Sequence, residues 1–189
     1  MIKGKLKKHE IGIEIKQDML ENPVKKAFLS LGSNLGNKKK NLELAKYFLE
    51  MNPSIKILKV SNYYITESWP DKKKPFFLNI VIEISTTLFP INLFINLKNI
   101  EKLLGRTVAP KNSPRTCDID IIDYNGEKIE ITYKNNQITI PHPRLHLRNF
   151  VLLPLYEISK TWSHPKFNKN IAILINNLKP DNLRSIKIL

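Results

Sequence analysis

A single cysteine, Cys117, stands in the 189 residues, so no disulfide can close within the chain, and a reducing cytoplasm is the expected compartment. The longest apolar runs, IVIEI at 80–84 and FVLLPL at 150–155, fall far short of the roughly 20 residues of a membrane-spanning helix. No membrane partner is expected. The first 24 residues hold no apolar stretch of the kind that drives secretion, contain no arginine, and carry Glu10, Glu14, Asp18 and Glu21. They read as an appendage rather than a leader, with Ile11, Ile13 and Ile15 alternating like a short strand. No Cys/His set with zinc spacing and no Ser-His-Asp pattern in context occurs, and there are no repeats or low-complexity segments.

What remains is the size of one domain, 42% apolar, able to bury a core without staples. The net charge of +14 invites a nucleic-acid reading, because clustered lysines displace counterions from phosphates. Lys, Asn and Ile are abundant throughout, however, as an AT-rich genome would produce. No aromatic RNA-binding motif, zinc finger or basic helix accompanies the charge, so no nucleic-acid partner is expected. Against that lysine background the five arginines are informative, and four of them fall in one stretch: Arg106, Arg115, Arg144 and Arg148. An arginine where lysine is the default suggests a need for a planar donor fork, most often for phosphate.

Alternation and punctuation predict a strand over 25–31, ending in the turn Gly32-Ser33-Asn34-Leu35-Gly36. A helix follows from a cap at Asn37 to Met51, with Leu42, Ala45, Phe48 and Leu49 on one face, and Asn52-Pro53 stops it. Strands are expected over 55–66 and 76–87. In the second, Phe77, Asn79, Val81 and Glu83 share one face while Leu78, Ile80, Ile82 and Ile84 share the other. Pro90 opens a second helix that ends at Gly105. A strand over 116–124 then meets Asn125-Gly126, a hairpin signal into 127–133. A short extended piece at 137–140, a Pro141-His142-Pro143 turn, a mixed segment to 158 and a last helix over 168–178 complete the reading. The order β-α-β-β-α-β points to an α+β class: a ferredoxin-like antiparallel sheet packed against helices, with a C-terminal addition. Residues 1–24 are read as an extension, 25–178 as the domain and 179–189 as a tail.

The sharpest constellation is Pro114-Arg115-Thr116-Cys117-Asp118-Ile119-Asp120-Ile121-Ile122. On a strand, Asp118 and Asp120 project from one face roughly 6–7 Å apart, while Cys117, Ile119 and Ile121 take the other. Two carboxylates on an apolar strand repel and lose hydration unless a cation neutralises them. Such a pair suits Mg²⁺, which takes one or two carboxylates and completes its octahedron with water and phosphate oxygens. The duller alternative is an exposed Asp pair guarding an edge strand against aggregation. Metal-dependent nucleotidyl- or glycosyltransferases also use Asp-x-Asp, and a basic non-catalytic module is a third reading.

The run 114–122 resembles the signature of the dihydropterin pyrophosphokinases, Pro-Arg-x-x-Asp-hydrophobic-Asp-hydrophobic-hydrophobic. Four other blocks resemble that family in the same order: 27–36, 75–79, 100–106 and 140–152. The resemblance implies transfer of pyrophosphate from ATP to 6-hydroxymethyl-7,8-dihydropterin in folate synthesis, with AMP as the second product. It implies that Asp118 and Asp120 bind two Mg²⁺ ions and that Arg106 and Arg115 act on the transferring group. His142, Arg148 and Thr139 would contact ATP, with Glu101 supporting that side. Phe77 and Phe150 would sandwich the pterin, Asn79 would read its edge, and Gly32 and Thr66 would line its pocket. Other folate-pathway enzymes are implied as neighbours or linked partners. Members commonly carry an aromatic just before the Gly-Pro-Arg turn, where this chain has Asn112-Ser113. The loop between Arg106 and Arg115 is slightly short, with Lys111 where further basic residues are often found. Lys98 and Gln137 stand where other polar ATP contacts are common. From Asn112 a loop that closes less firmly over the nucleotide is expected.

Overall fold

Period-two alternation of apolar side chains builds one sheet with two differently used faces. The structure is a computed structural model that describes residues 23–68, 71–107, 109–110, 112–133 and 136–189. The alternating isoleucines at 11, 13 and 15, and Lys111, lie outside the described residues. In chain order the elements are β1 (Lys25–Ser33), α1 (Lys38–Glu50), β2 (Ile55–Val60), β3 (Tyr64–Thr66), β4 (Phe77–Thr86), α2 (Pro90–Leu103) and β5 (Asp118–Tyr124). There follow β6 (Ile129–Tyr133), β7 (Asn136–Ile140), α3 (Asn149–Ile158), β8 (Ser163–His164), β9 (Lys169–Asn170), α4 (Ile171–Asn176), α5 (Pro180–Arg184) and β10 (Ile186–Ile188).

The main sheet runs β10-β3-β4-β1-β5, with β2 also on β4, and every pairing is antiparallel. The path β1-α1-β2/β3-β4-α2-β5, with β4 and β5 flanking β1, is the ferredoxin-like split arrangement expected from the sequence. One face carries Leu29, Leu31, Leu78, Ile80, Ile82, Ile84, Ile119 and Ile121, which pack with Leu42, Ala45 and Leu49 of α1 and Leu93, Leu97 and Ile100 of α2. Each fully buried Leu or Ile there contributes about 1.5–3 kcal/mol relative to exposure. On the opposite face Phe28, Val81 and Ile122 meet Val151, Leu152 and Leu155 of α3, with Trp162, Ile171 and Leu174 behind them.

The local signals act as read. Asn37 accepts from the Lys40 amide at 3.0 Å and caps α1, and Pro90 is the first residue of α2. Four expectations change. The single strand over 55–66 is two, because Ser61 interrupts the ladder: its hydroxyl accepts the Val81 amide at 3.0 Å in place of a backbone carbonyl. The Asn125-Gly126 turn forms, with φ 53° and 69°, but β6 pairs with β7 in a separate two-stranded sheet. The outer side of β5 is met instead by the 141–143 turn, whose His142 amide donates to Ile122 O at 3.3 Å. The last helix starts at Ile171, since Lys169–Asn170 pair with Ser163–His164 and Asn170 caps α4 by accepting from Ala172 N at 2.9 Å. Residues 180–188, where no element was read, form α5 and the edge strand β10 on β3.

Candidate active site

The α3 side of the sheet is where chemistry-bearing residues line up. Directly paired residues share a face, so Tyr64, Asn79, Gly32 and Asp118 form one row across β3, β4, β1 and β5. Val81, Ser30 and Asp120 form the next row. Neighbouring strands are about 4.8 Å apart, which sets Asn79 and Asp118 roughly 10 Å from each other.

At the β4 end, Asn79 is 3% exposed; its Nδ2 donates to Thr66 Oγ1 at 2.9 Å and to Tyr64 O at 3.4 Å. That bonding fixes which edge the amide presents. Phe77 is half-buried opposite Thr66, and Gly32 leaves room beside both: a Cβ there would stand 3.0 Å from Asn79 Oδ1 and 3.6 Å from Phe77 Cδ1. Gly32, Thr66, Phe77 and Asn79, the residues expected to face a pterin, therefore come together on adjacent strands, with Phe150 at the start of α3 on the same face of the sheet.

At the β5 end, Arg106 arrives by a specific turn. Gly105, at φ 82°, lets the chain reverse after α2, with Gly105 N on Lys102 O at 2.9 Å and Arg106 N on Glu101 O at 3.0 Å, a Schellman arrangement. The Arg106 side chain then bridges Glu101 Oε2 and Asp118 Oδ1, both at 2.6 Å, while Arg115 holds Asp118 Oδ2 at 2.9 Å. Burial pushes the Asp118 carboxyl up, but Arg115, Arg106 and Lys98 outweigh it and hold it below the usual carboxylate range. Glu101 is 2% exposed and sits behind the acid pair, where Oε1 accepts from Ile119 N and from Lys98, each at 2.7 Å. Burial raises its pKa against the pull of those cations. It faces β5 and Arg106, not open space.

Asp120 has its own partners: Arg148 at 3.4 Å and His142 Nε2 at 4.0 Å. Burial, then Arg148, pushes the His142 ring below its ordinary pKa in spite of Asp120, so the ring is neutral near neutral pH. Arg148 also lies 5.5 Å from the Phe150 ring. Asp120, Thr139 and His142 share a cleft of about 230 Å³ whose other walls include Phe94, Ile119, Ile121 and Gln137. The sequence reading passed over Phe94, because an aromatic at helical spacing looks like any core residue.

Both aspartates are hard oxygen donors, partly exposed, on one face of one strand, and ringed by arginines that already neutralise them. That donor set fits Mg²⁺ carried in with a polyphosphate. Among the described residues no group of three or more His, Cys, Asp and Glu could cage a metal alone. On the loop side, Asn112 takes φ 65° and its carbonyl accepts from Lys74 Nζ at 3.0 Å.

Residues 28–160 match the family described as 7,8-dihydro-6-hydroxymethylpterin-pyrophosphokinase (HPPK). The chain is 39% identical over 132 residues to the 2-amino-4-hydroxy-6-hydroxymethyldihydropteridine pyrophosphokinase of Bacillus subtilis, covering 70% of this chain and 77% of that protein. Against the protein of the same name from Aquifex aeolicus it is 34% identical, covering 82% and 91%. It is 36% identical to the folic acid synthesis protein fol1 of Schizosaccharomyces pombe, over 84% of this chain but only 21% of that protein. Among solved structures, wild-type Plasmodium falciparum HPPK-DHPS superposes with TM-score 0.65 at 19% identity, over 82% of this chain and 42% of that one.

Proposed function

Because the chain belongs to the 7,8-dihydro-6-hydroxymethylpterin-pyrophosphokinase family, we propose that one row of its sheet divides the work of that reaction between a pterin end and a phosphate end. The reaction carries a pyrophosphoryl group from ATP to the hydroxymethyl group of 6-hydroxymethyl-7,8-dihydropterin, giving AMP and the pterin diphosphate in folate biosynthesis. The pterin oxygen forms a bond to the β-phosphorus, the bond to the bridging oxygen of AMP breaks, and the hydroxyl proton is lost. Such a transfer asks little covalent help of the protein; positioning and neutralised oxygens suffice.

In this assignment Asn79 pairs with the pterin edge, Thr66 sets the amide's orientation, Gly32 leaves room for the ring, and Phe77 and Phe150 cover its faces. Asp118 and Asp120 would hold two Mg²⁺ ions, which when bound neutralise the phosphate oxygens and polarise the transferring group. Arg106 and Arg115 turn from Asp118 to oxygens on that group, and Glu101 keeps Arg106 from swinging away. Arg148, Thr139 and His142 line the side proposed for the nucleotide, His142 as a neutral ring whose Nδ1 accepts from the Arg144 amide at 3.0 Å, which leaves its Nε2–H to donate. The observation that supports the division is the row itself: amide, glycine and carboxylate on three adjacent strands, spanning about the distance from a pterin edge to its hydroxymethyl group. We also propose a cytoplasmic setting, on the single cysteine. Proximity to other folate enzymes is proposed because relatives such as fol1 are folic acid synthesis proteins of which this chain spans a fraction.

Substitution of the acid pair tests the phosphate end. Asp118→Ala and Asp120→Ala are each expected to abolish turnover at saturating Mg²⁺ while circular dichroism stays that of the parent. Near-parental activity in either variant would remove the metal assignment.

A further inference from the structure

Asn34 lies in the turn after β1 and is 2% exposed. Its backbone amide donates to Arg115 O at 3.1 Å, and its Oδ1 accepts from Arg115 N at 2.8 Å. Its Nδ2 donates in the other direction, to Ser68 Oγ and to Pro75 O, both at 3.4 Å. Ser68 Oγ in turn donates to Pro75 O at 2.6 Å. Pro75 leads directly into Phe77 and Asn79 of β4, whereas Arg115 grips Asp118. One buried side chain therefore ties the strand that bears the pterin residues to the backbone of the phosphate-side arginine. An amide carries a donor and an acceptor on one short stem, which neither a carboxylate nor an apolar side chain does.

We propose that Asn34 is a positioning residue that fixes Arg115 and the chain at Ser68 and Pro75, which leads into β4, in one register, so that the reach from pterin to the transferring phosphate is set by a single hydrogen-bonded side chain. The proposal rests on the assignment of Arg115 to that phosphate. Without Oδ1 the Arg115 amide loses its partner in a part-buried place, and the arginine keeps only the Asn34 backbone contact on this side. A shift of about 1 Å at a positioning group costs on the order of a hundredfold in rate.

A double-mutant cycle reads the coupling: kcat, both KM values and the melting temperature for the parent, Asn34→Ala, Arg115→Ala and the double variant. Asn34→Ala is expected to lower kcat about 10- to 100-fold and raise the pterin KM, with the ATP KM within about threefold. In the Arg115→Ala background its effect on kcat should shrink to under about threefold, because the group it positions is gone. Effects that multiply independently would overturn the proposal. If Arg115→Ala alone leaves kcat intact, it is the assignment of Arg115 that fails, and the positioning role falls with it. Should Asn34→Ala not fold, Asn34→Asp decides. It keeps the acceptor for Arg115 N but lacks the donors to Ser68 and Pro75, so the pterin KM should rise about tenfold with kcat within about threefold. A lowered kcat at unchanged pterin KM in that variant would contradict the proposal.

Discussion

Gly32→Ala is the smallest perturbation that reaches the pterin end, and its size follows from the structure. Gly32 lies within β1, so an added methyl brings no left-handed strain. The new Cβ would stand 3.0 Å from Asn79 Oδ1, where carbon contacts are comfortable only from about 3.5 Å. The buried amide must give way by about 0.5 Å. That movement loosens the 2.9 Å bond from Asn79 Nδ2 to Thr66 Oγ1. It also turns the amide away from the pterin edge. Two weakened neutral hydrogen bonds, at about 0.5–1.5 kcal/mol each, come to about 1–3 kcal/mol, or about 5- to 150-fold in pterin affinity. Calorimetric titration with pterin, in the presence of a non-hydrolysable ATP analogue, is the assay. Affinity for the analogue alone should stay within about twofold, since the phosphate end is untouched. Unchanged pterin affinity in Gly32→Ala would show that the row is not the pterin floor.

Two further outcomes concern charge. Arg106→Lys and Arg115→Lys should lower kcat about 10- to 1000-fold while the ATP KM moves much less, because an ammonium cannot reproduce a fork aimed at two oxygens; equal activity would reduce both arginines to background potential. Burial, with His146 beside it, pushes the His164 ring down to about 4. The unfolded ring titrates near pH 6.5, so this contribution is complete above about 6.5 and is lost as the pH falls towards 4, by about 1–3 kcal/mol. Urea unfolding near pH 7 and near pH 5 should show a loss in the parent that is smaller in His164→Phe, where His142 still contributes, and equal losses in the two would refute it.

Local signals carried most of the fold. Strand alternation in β1, β4 and β5, the Asn37 cap, Pro90 and the Gly105 turn are each decided within a few residues, and they placed the Asp-x-Asp pair on the correct face. Competition between distant partners was not legible. Ser61 splitting β2 from β3, and β6 choosing β7 over β5, depend on which strand edge is already occupied. Glu101 shows the same limit at the site: its place near the end of the second helix could be read, but its burial behind Asp118 depends on how α2 docks on β5. Asn112 shows another. Its sequence position suggested a missing aromatic cover, whereas its φ of 65° supplies a backbone reason for an asparagine there.

The account stands most directly on one incubation: protein, Mg²⁺, ATP labelled at the β-phosphorus, and 6-hydroxymethyl-7,8-dihydropterin. It predicts AMP and labelled pterin diphosphate in equal amounts, and no turnover when pterin or Mg²⁺ is left out. Formation of ADP, or ATP consumption without pterin, would contradict it.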